Sequence, residues 1–183
     1  MAASVDSSFP SGHERLACHL SLPAGADGPT PGLVLCHGFP IGPLDARRSA
    51  GTFPELIDRL SSEVGYAALT FTFSGCGEST GDFSLQGWMD DLRNAIDHLD
   101  RSVDLNGVVL IGTNTGGSLA ICAAADDPRV IGAALLSPRA DFDDWAEQPR
   151  RFLHGGLVSR LPPFSAGSVG ETVRPAAAAR PPW

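Results

Sequence analysis

The stretch Val108–Gly117 reads VVLIGTNTGG and leads into a run of small residues, Ser118–Ala125. Its apolar start predicts a buried strand, and the glycines that follow predict a tight turn. The small residues after the turn favour a helix that lies close to a sheet. Asn114, at the apex of the turn, tolerates left-handed backbone better than most residues do. The stretch therefore predicts a strand, a sharp turn and a helix in succession.

These residues also have the spacing of a G-x-S-x-G turn, in which a serine hydroxyl stands above a parallel sheet. Here the central residue is Asn114, between Gly112 and Gly116. A carboxamide has no nucleophilic oxygen that a base can activate, so serine-type acyl transfer cannot run through it. The pattern thus predicts the backbone of a catalytic turn without its nucleophile.

Strand and helix patterns alternate along the chain, which predicts an α/β fold with a doubly wound, mostly parallel sheet. The alternating residues of Leu16–Leu22 predict a half-buried antiparallel strand at an edge of the sheet. Apolar stripes within 53–64 and 89–99 predict two helices. Four mostly apolar runs are typical of parallel strands covered on both faces, namely Leu33–Cys36, Ala67–Phe73, Val108–Ile111 and Val130–Leu136.

The chain is predicted to divide near residue 154. Residues 1–154 would form a partial α/β domain. Residues 155–183 are rich in Pro, Ala and Gly and show no helical or strand period. We expect them to be disordered, because they offer little apolar surface to balance the entropy lost on ordering. Their composition suits either a natural flexible tail or a shifted reading frame of GC-rich DNA.

Charge and composition limit the class of protein. A formal net charge of −8 argues against nucleic acid or an anionic membrane as the main partner. No apolar stretch is long enough to span a bilayer, and residues 1–15 lack the apolar run of a signal peptide. The four cysteines are widely spaced, which favours reduced thiols over disulfides or a metal site. We therefore expect a cytoplasmic protein without a cofactor or a bound metal.

Three loops that each follow a predicted strand together resemble the α/β-hydrolase superfamily. They are Cys36–Pro40, which contains His37-Gly38, then Phe73–Ser79, and the turn around Asn114. The serine esterase, dienelactone-hydrolase and serine-aminopeptidase-like branches are the most similar, and the resemblance covers Arg15–Trp145. It implies an ancestral hydrolysis of acyl esters or amides through a serine at the position of Asn114.

In that family two backbone amides form an oxyanion hole, and the resemblance implies Phe39 and Thr115 for this role. His37 and Gly38 would shape the first loop, and His37 would not act as the general base. Three glycines would permit the close turn and the approach of the following helix to the sheet. These are Gly112, Gly116 and Gly117.

The acid and the histidine of the family's catalytic triad have no counterpart in this sequence. Asp141, Asp143 and Asp144 come one strand too early for the acid, and the last two are predicted to start a helix over Asp143–Leu153. None of the five histidines occupies the family's position for the base. The resemblance therefore implies an inert, C-terminally truncated hydrolase.

Two other functions stay open at this point. A scaffold that keeps the oxyanion amides would bind a small acyl or carboxylate ligand without turning it over. Alternatively, Gly112–Gly117 is an imperfect G-x-G-x-x-G nucleotide-binding turn, although Asn114 replaces its middle glycine and the strand is not the first of the fold. Separately, the uncharged run 130–136 predicts self-association if it forms an open edge of the sheet.

Overall fold

The computed structural model describes residues 3–25, 28–39 and 52–139. Helix α1 covers 52–59 within these ranges and continues as a π-helical turn, Leu60–Val64. Helices α2 and α3 span Leu85–Ser102 and Thr115–Asp126. The predicted helix Asp143–Leu153 and the tail 155–183 lie outside the described residues. The strands within the described ranges are β1 (Ala3–Ser11), β2 (Glu14–Leu22), β3 (Thr30–Cys36), β4 (Ala67–Phe71), β5 (Leu105–Thr113) and β6 (Val130–Leu136).

The strands form one sheet in the order β1-β2-β4-β3-β5-β6. β3 lies between β4 and β5 and is parallel to both, and β6 is parallel to β5. β2 is antiparallel to β1 and to β4. This mixed, mostly parallel sheet confirms the predicted α/β class. Because β3, β4 and β5 share one direction, the loops that follow them emerge at the same edge of the sheet.

Helices cover both faces of the sheet, as predicted for a doubly wound fold. In β3, Val34 and Cys36 belong to a large core that α2 and α3 cover. Leu33 and Leu35 point the other way, into a smaller core that contains Ile57 of α1. The alternation follows from the two-residue period of a strand. β3 is thus buried on both faces, which explains its continuous apolar sequence.

None of the helices in the described ranges combines the length and the apolar character that a bilayer crossing requires.

The prediction that Leu16–Leu22 lies at an edge of the sheet is wrong. The strand is antiparallel as expected, but β1 pairs along its whole outer side. β1 buries Phe9, yet most of its other residues are Ser, Asp or Pro, so it has no regular apolar alternation to reveal it. Pairing within the hairpin, more than burial, selects this conformation. Asp6 and Pro10 also suit β1 to an exposed edge.

The opposite edge of the sheet, β6, has no such protection. Val130–Leu136 contains neither a charged residue nor a proline. Ile131 and Leu136 are 65% and 54% exposed, so the expectation of coverage on both faces does not hold for this strand within the described residues. In the same ranges no strand pairs with the outer side of β6.

We expect self-association through β6, because an uncharged edge strand offers unpaired N–H and C=O groups to a second strand. Ala133→Lys places a charge at an exposed position in the middle of this edge. It should shift the sedimentation-velocity profile towards monomer. Val5→Lys is the matched control, since Val5 is exposed on the β1 edge. A wild-type chain that stays monomeric at high concentration would contradict the expectation.

Candidate functional site

The turn between β5 and α3, which we call the elbow (residues 112–117), places Asn114 at its apex. Asn114 has φ +47° and ψ −117°, in the left-handed half of backbone space. Its N–H donates to the Leu136 carbonyl at 2.9 Å. Its own carbonyl accepts from the Ser118 N–H at 3.1 Å, the first bond of helix α3. The amides of residues 115–117 precede that bond, so they have no acceptor within the helix.

Glycine is required on both sides of the apex, because backbone segments touch there. A Cβ on Gly112 would lie 2.5 Å from the Gly117 Cα. A Cβ on Gly116 would collide with the carbonyl oxygens of Cys36 and His37, at the end of β3. Since carbon atoms in contact lie roughly 3.5–4.0 Å apart, neither position has room for a side chain. These glycines let α3 pack on β5 and let the elbow contact the loop that follows β3.

The first loop (residues 37–39) lies directly against the elbow. A Cβ on Gly38 would come within 3.0 Å of both the Asn114 Cβ and the Thr113 carbonyl oxygen. The same hypothetical atom would be 3.3 Å from the Asn114 Nδ2. The structure therefore brings Gly38 and Asn114 together, as two of the predicted site residues.

Phe39 follows as a buried residue of this loop. Its ring contacts those of Phe83 and Trp88, at centroid distances of 5.1 and 5.6 Å. Thr115, at the start of α3, is also buried. Aromatic packing thus positions one end of the first loop, while the oxyanion role of Phe39 and Thr115 stays a prediction.

His37 is buried and joins the first loop to the second (residues 72–84). Its Nδ1–H donates to the Gly38 carbonyl at 2.7 Å, and its Nε2 accepts from the Phe73 N–H at 3.1 Å. The proton belongs on Nδ1, because a backbone N–H can only donate to Nε2. Burial lowers the pKa of His37 below 6.5, although the bond to Gly38 acts in the opposite direction. His37 is therefore a neutral ring with both nitrogens engaged.

Sequence reasoning missed Asp91, a buried carboxylate on α2. Its Oδ2 accepts from the backbone N–H and the hydroxyl of Ser74, at 2.9 and 2.7 Å. Its Oδ1 accepts from the hydroxyl of Ser11, on β1, at 2.6 Å. The Ser74 carbonyl accepts in turn from Trp88 Nε1 at 3.0 Å. Asp91 thus connects helix α2 to the second loop and to strand β1. The second loop in turn donates a hydrogen bond to His37.

One sequence signal could have identified Asp91. It lies three residues after Trp88 and four before Ala95, on the face of α2 that the helical period predicts to be buried. A carboxylate on a buried face needs donors around it, so it marks a polar contact and not a solvated surface. Its neighbour Asp90, one residue earlier, is 53% exposed.

The other partly buried histidines are engaged with β1. His19, on β2, lies 2.6 Å from Asp6 and 3.0 Å from Asp58. Burial alone would lower the pKa of His19, but the hydrogen bonds to Asp6 and Asp58 outweigh it and raise the pKa above 6.5. His98, on α2, stacks on Phe9 at a centroid distance of 4.9 Å. His19 therefore serves ion pairing, and His98 serves packing against β1.

Two substitutions at Asp91 should separate its hydrogen bonds from its charge. Asp91→Ala leaves the Ser74 N–H without an acceptor and should lower the free energy of unfolding by about 3 kcal/mol. Asp91→Asn keeps one oxygen for Ser74 and should cost about 1 kcal/mol. Urea denaturation measures both. Asp90→Ala is the control, with a change within about 0.5 kcal/mol. Equal losses of unfolding free energy in Asp90→Ala and Asp91→Ala would refute the role of Asp91.

The pH dependence of stability should reveal the ion pairs of His19. Because its pKa is raised by folding, this contribution is complete below the unfolded pKa of 6.5 and is lost as the pH rises through the folded pKa. His19→Gln should therefore lower the free energy of unfolding by up to about 1 kcal/mol at about pH 5.5, and by less at about pH 8.5. The contribution of His37 to stability depends on pH in the opposite direction. Because folding lowers the pKa of His37, this contribution is lost as the pH falls below 6.5. A His19→Gln effect that does not vary with pH would contradict this account.

Comparisons with known proteins agree with this geometry. Residues 33–183 match the alpha/beta hydrolase family. The chain is 30% identical over 146 residues to the quorum-quenching protein AidA of Acinetobacter baumannii (strain MDR-ZJ06). That alignment covers 76% of this chain and 45% of AidA.

Two solved structures have a similar fold. Est1E from Butyrivibrio proteoclasticus, with ferulic acid bound, gives a TM-score of 0.64 at 20% identity, covering 78% of this chain and 56% of Est1E. The Pyrococcus furiosus esterase Pf2001 gives a TM-score of 0.64 at 17% identity. The match covers 88% of this chain and 57% of the esterase. This chain thus spans about half the length of AidA, of Est1E and of Pf2001. With the family match over most of its residues, the chain belongs to the α/β-hydrolase family.

Proposed function

We propose that this chain is an α/β-hydrolase scaffold whose elbow no longer carries out the family's hydrolysis of esters or amides. The observation that carries the proposal is Asn114 at the apex, with φ +47°. A serine at this point would present a hydroxyl for activation, whereas a carboxamide is not made nucleophilic by a neighbouring base. Family membership supports the ancestral chemistry, and the apex residue supports its loss.

Two thiols and one hydroxyl that could replace a serine are held in unreactive states. Burial raises the pKa of Cys36 and of Cys76 to about 12, so both thiols stay protonated at neutral pH. The Ser118 hydroxyl donates to the Arg139 carbonyl at 2.8 Å. The His37 ring has no nitrogen left for a nucleophile, since both are bonded to backbone.

The same scaffold favours binding of a small carboxylate or acyl group. Helix α3 begins with amides that have no intrahelical acceptor, and the N-terminus of a helix attracts negative charge. Gly38 holds the first loop against this end of the helix. We assign the N–H groups of Phe39 and Thr115 as the donors to a ligand oxygen, as in the oxyanion hole of the family.

A cytoplasmic location belongs to the same proposal. The four cysteines are unpaired. Free thiols are typical of a reducing compartment.

Reaction with a fluorophosphonate, read by intact mass, tests the loss of catalysis. We expect no adduct on the wild-type chain and none on Asn114→Ser, because the new serine would lack an activating base. Assays with p-nitrophenyl acetate should likewise show no turnover above buffer. A circular-dichroism spectrum of each protein controls for folding. An adduct or measurable turnover in either protein would overturn the proposal.

Thermal shift with ferulate and with acetate tests the ligand assignment, and ferulate is chosen because Est1E contains ferulic acid. We expect Tm to rise with ligand concentration, since a ligand of the folded state stabilises that state. Gly38→Ala should weaken the rise, because its methyl group would reach the Asn114 Cβ. Gly28→Ala is the matched control, as nothing lies within 4 Å of its Cβ position. Absence of a rise with both compounds, or equal rises in the two variants, would remove the assignment.

A further inference from the structure

Strand β5 contains two adjacent residues, Asn106 and Gly107, that stand outside the paired registers of the sheet. In the pairing of β5 with β3, Leu105 faces Thr30 and Val108 faces Gly32. Three residue steps on β5 therefore correspond to two on β3. Towards β6 the pairing begins at Val108. This is a bulge, in which an extra residue interrupts the ladder of hydrogen bonds.

The side chain of Asn106 is exposed and weakly held. It lies on the surface of the sheet end. Its Nδ2 donates to the Pro29 carbonyl at 3.4 Å, at the long limit of a hydrogen bond. Its carboxamide is therefore open to water and held by one long hydrogen bond.

The fold itself requires glycine after Asn106. Gly107 has φ +143°, which side-chain-bearing residues rarely adopt. A Cβ at this position would lie 2.8 Å from Cδ1 of Ile131, on β6. The absence of a Cβ leaves the Gly107 nitrogen unshielded next to the Asn106 carboxamide. Glycine at position 107 is thus required by the backbone of the bulge and by the packing of β6.

We propose that Asn106 is a site of spontaneous deamidation in the folded protein, with water as the co-reactant. The Gly107 backbone nitrogen loses its proton to solvent and attacks the Asn106 Cγ. The new N–C bond closes a succinimide ring, the Cγ–Nδ2 bond breaks, and ammonia leaves with a proton from solvent. Water then opens the ring at either carbonyl and gives aspartate or isoaspartate. The sum consumes one water, releases ammonia that takes up a proton to become ammonium, and leaves one negative charge on the protein.

The bulge explains why the folded state permits this reaction. The Gly107 nitrogen must turn towards the preceding side chain, which a residue in a regular ladder does only after its strand bonds break. At Asn106 and Gly107 no register pair with β3 or β6 has to be lost. Asparagine is among the thermally labile residues, and the bulge lets Asn106 react without the loss of a register pair.

The other two asparagines of the chain provide internal controls. Asn94 lies within helix α2, and its Nδ2 donates to Ser11 and to the Asp90 carbonyl at 3.0 and 2.9 Å. Asn114 is followed by Thr115, whose branched side chain crowds the nitrogen that would attack. Neither site combines a bulge with a following glycine.

Peptide mapping by mass spectrometry, after incubation of the native chain in mildly alkaline buffer, tests the proposal. We expect conversion at Asn106 to be several-fold faster than at Asn94 and Asn114, with both aspartate and isoaspartate as products. Asn106→Gln should abolish the early mass gain of the intact protein. A parallel incubation in urea gives the rate for the unfolded chain, and the folded rate should be of the same order. Equal rates at the three asparagines, or conversion at Asn106 only in urea, would overturn the proposal.

Discussion

The architecture of this site depends on one close approach, between the backbone of the elbow and the end of β3. Gly116 faces the carbonyl oxygens of Cys36 and His37 with no room for a Cβ, and Gly112 faces Gly117 in the same way. These contacts force the chain into a sharp turn, and the apex residue must then accept positive φ. The constraint acts on the neighbours of the apex and not on its side chain. The backbone of the elbow therefore depends on these glycines and not on which side chain stands at position 114.

Buried polar groups hold the second loop to the first, and close packing of Gly38 holds the first loop against the elbow. Asp91 holds the second loop, the second loop donates to His37, and His37 donates to Gly38 beside the apex. Each acceptor in this series is satisfied by N–H or O–H donors, and the hydrogen bonds of the Asp91 carboxylate within the described residues come from Ser11 and Ser74, which are uncharged. Buried polar atoms that are fully bonded specify one arrangement of a core. The loops are thus preorganised by packing and hydrogen bonds within the scaffold.

The sequence was most informative where a physical rule leaves few alternatives. Continuous apolar runs predicted the parallel strands, because a strand covered on both faces tolerates little else. The glycines around Asn114 predicted the turn for a similar reason. β1 was not foreseen, since its conformation comes from pairing with β2 and leaves no apolar period in Ala3–Ser11. Asp91 was missed because its donors come from β1 and from the second loop, far away in sequence.

The distribution of the four thiols has a practical use. Cys18, Cys36 and Cys76 are buried in the sheet and its loops, whereas Cys122 is exposed on α3. It lies two helical turns beyond the start of α3, on the helix whose first residues form the elbow. A thiol-selective dye would therefore attach at one position of the native chain, without mutagenesis. Once Trp145 and Trp183 are replaced by Phe, buried Trp88 on α2, which packs on Phe39 of the first loop, would serve as the energy-transfer donor to that dye.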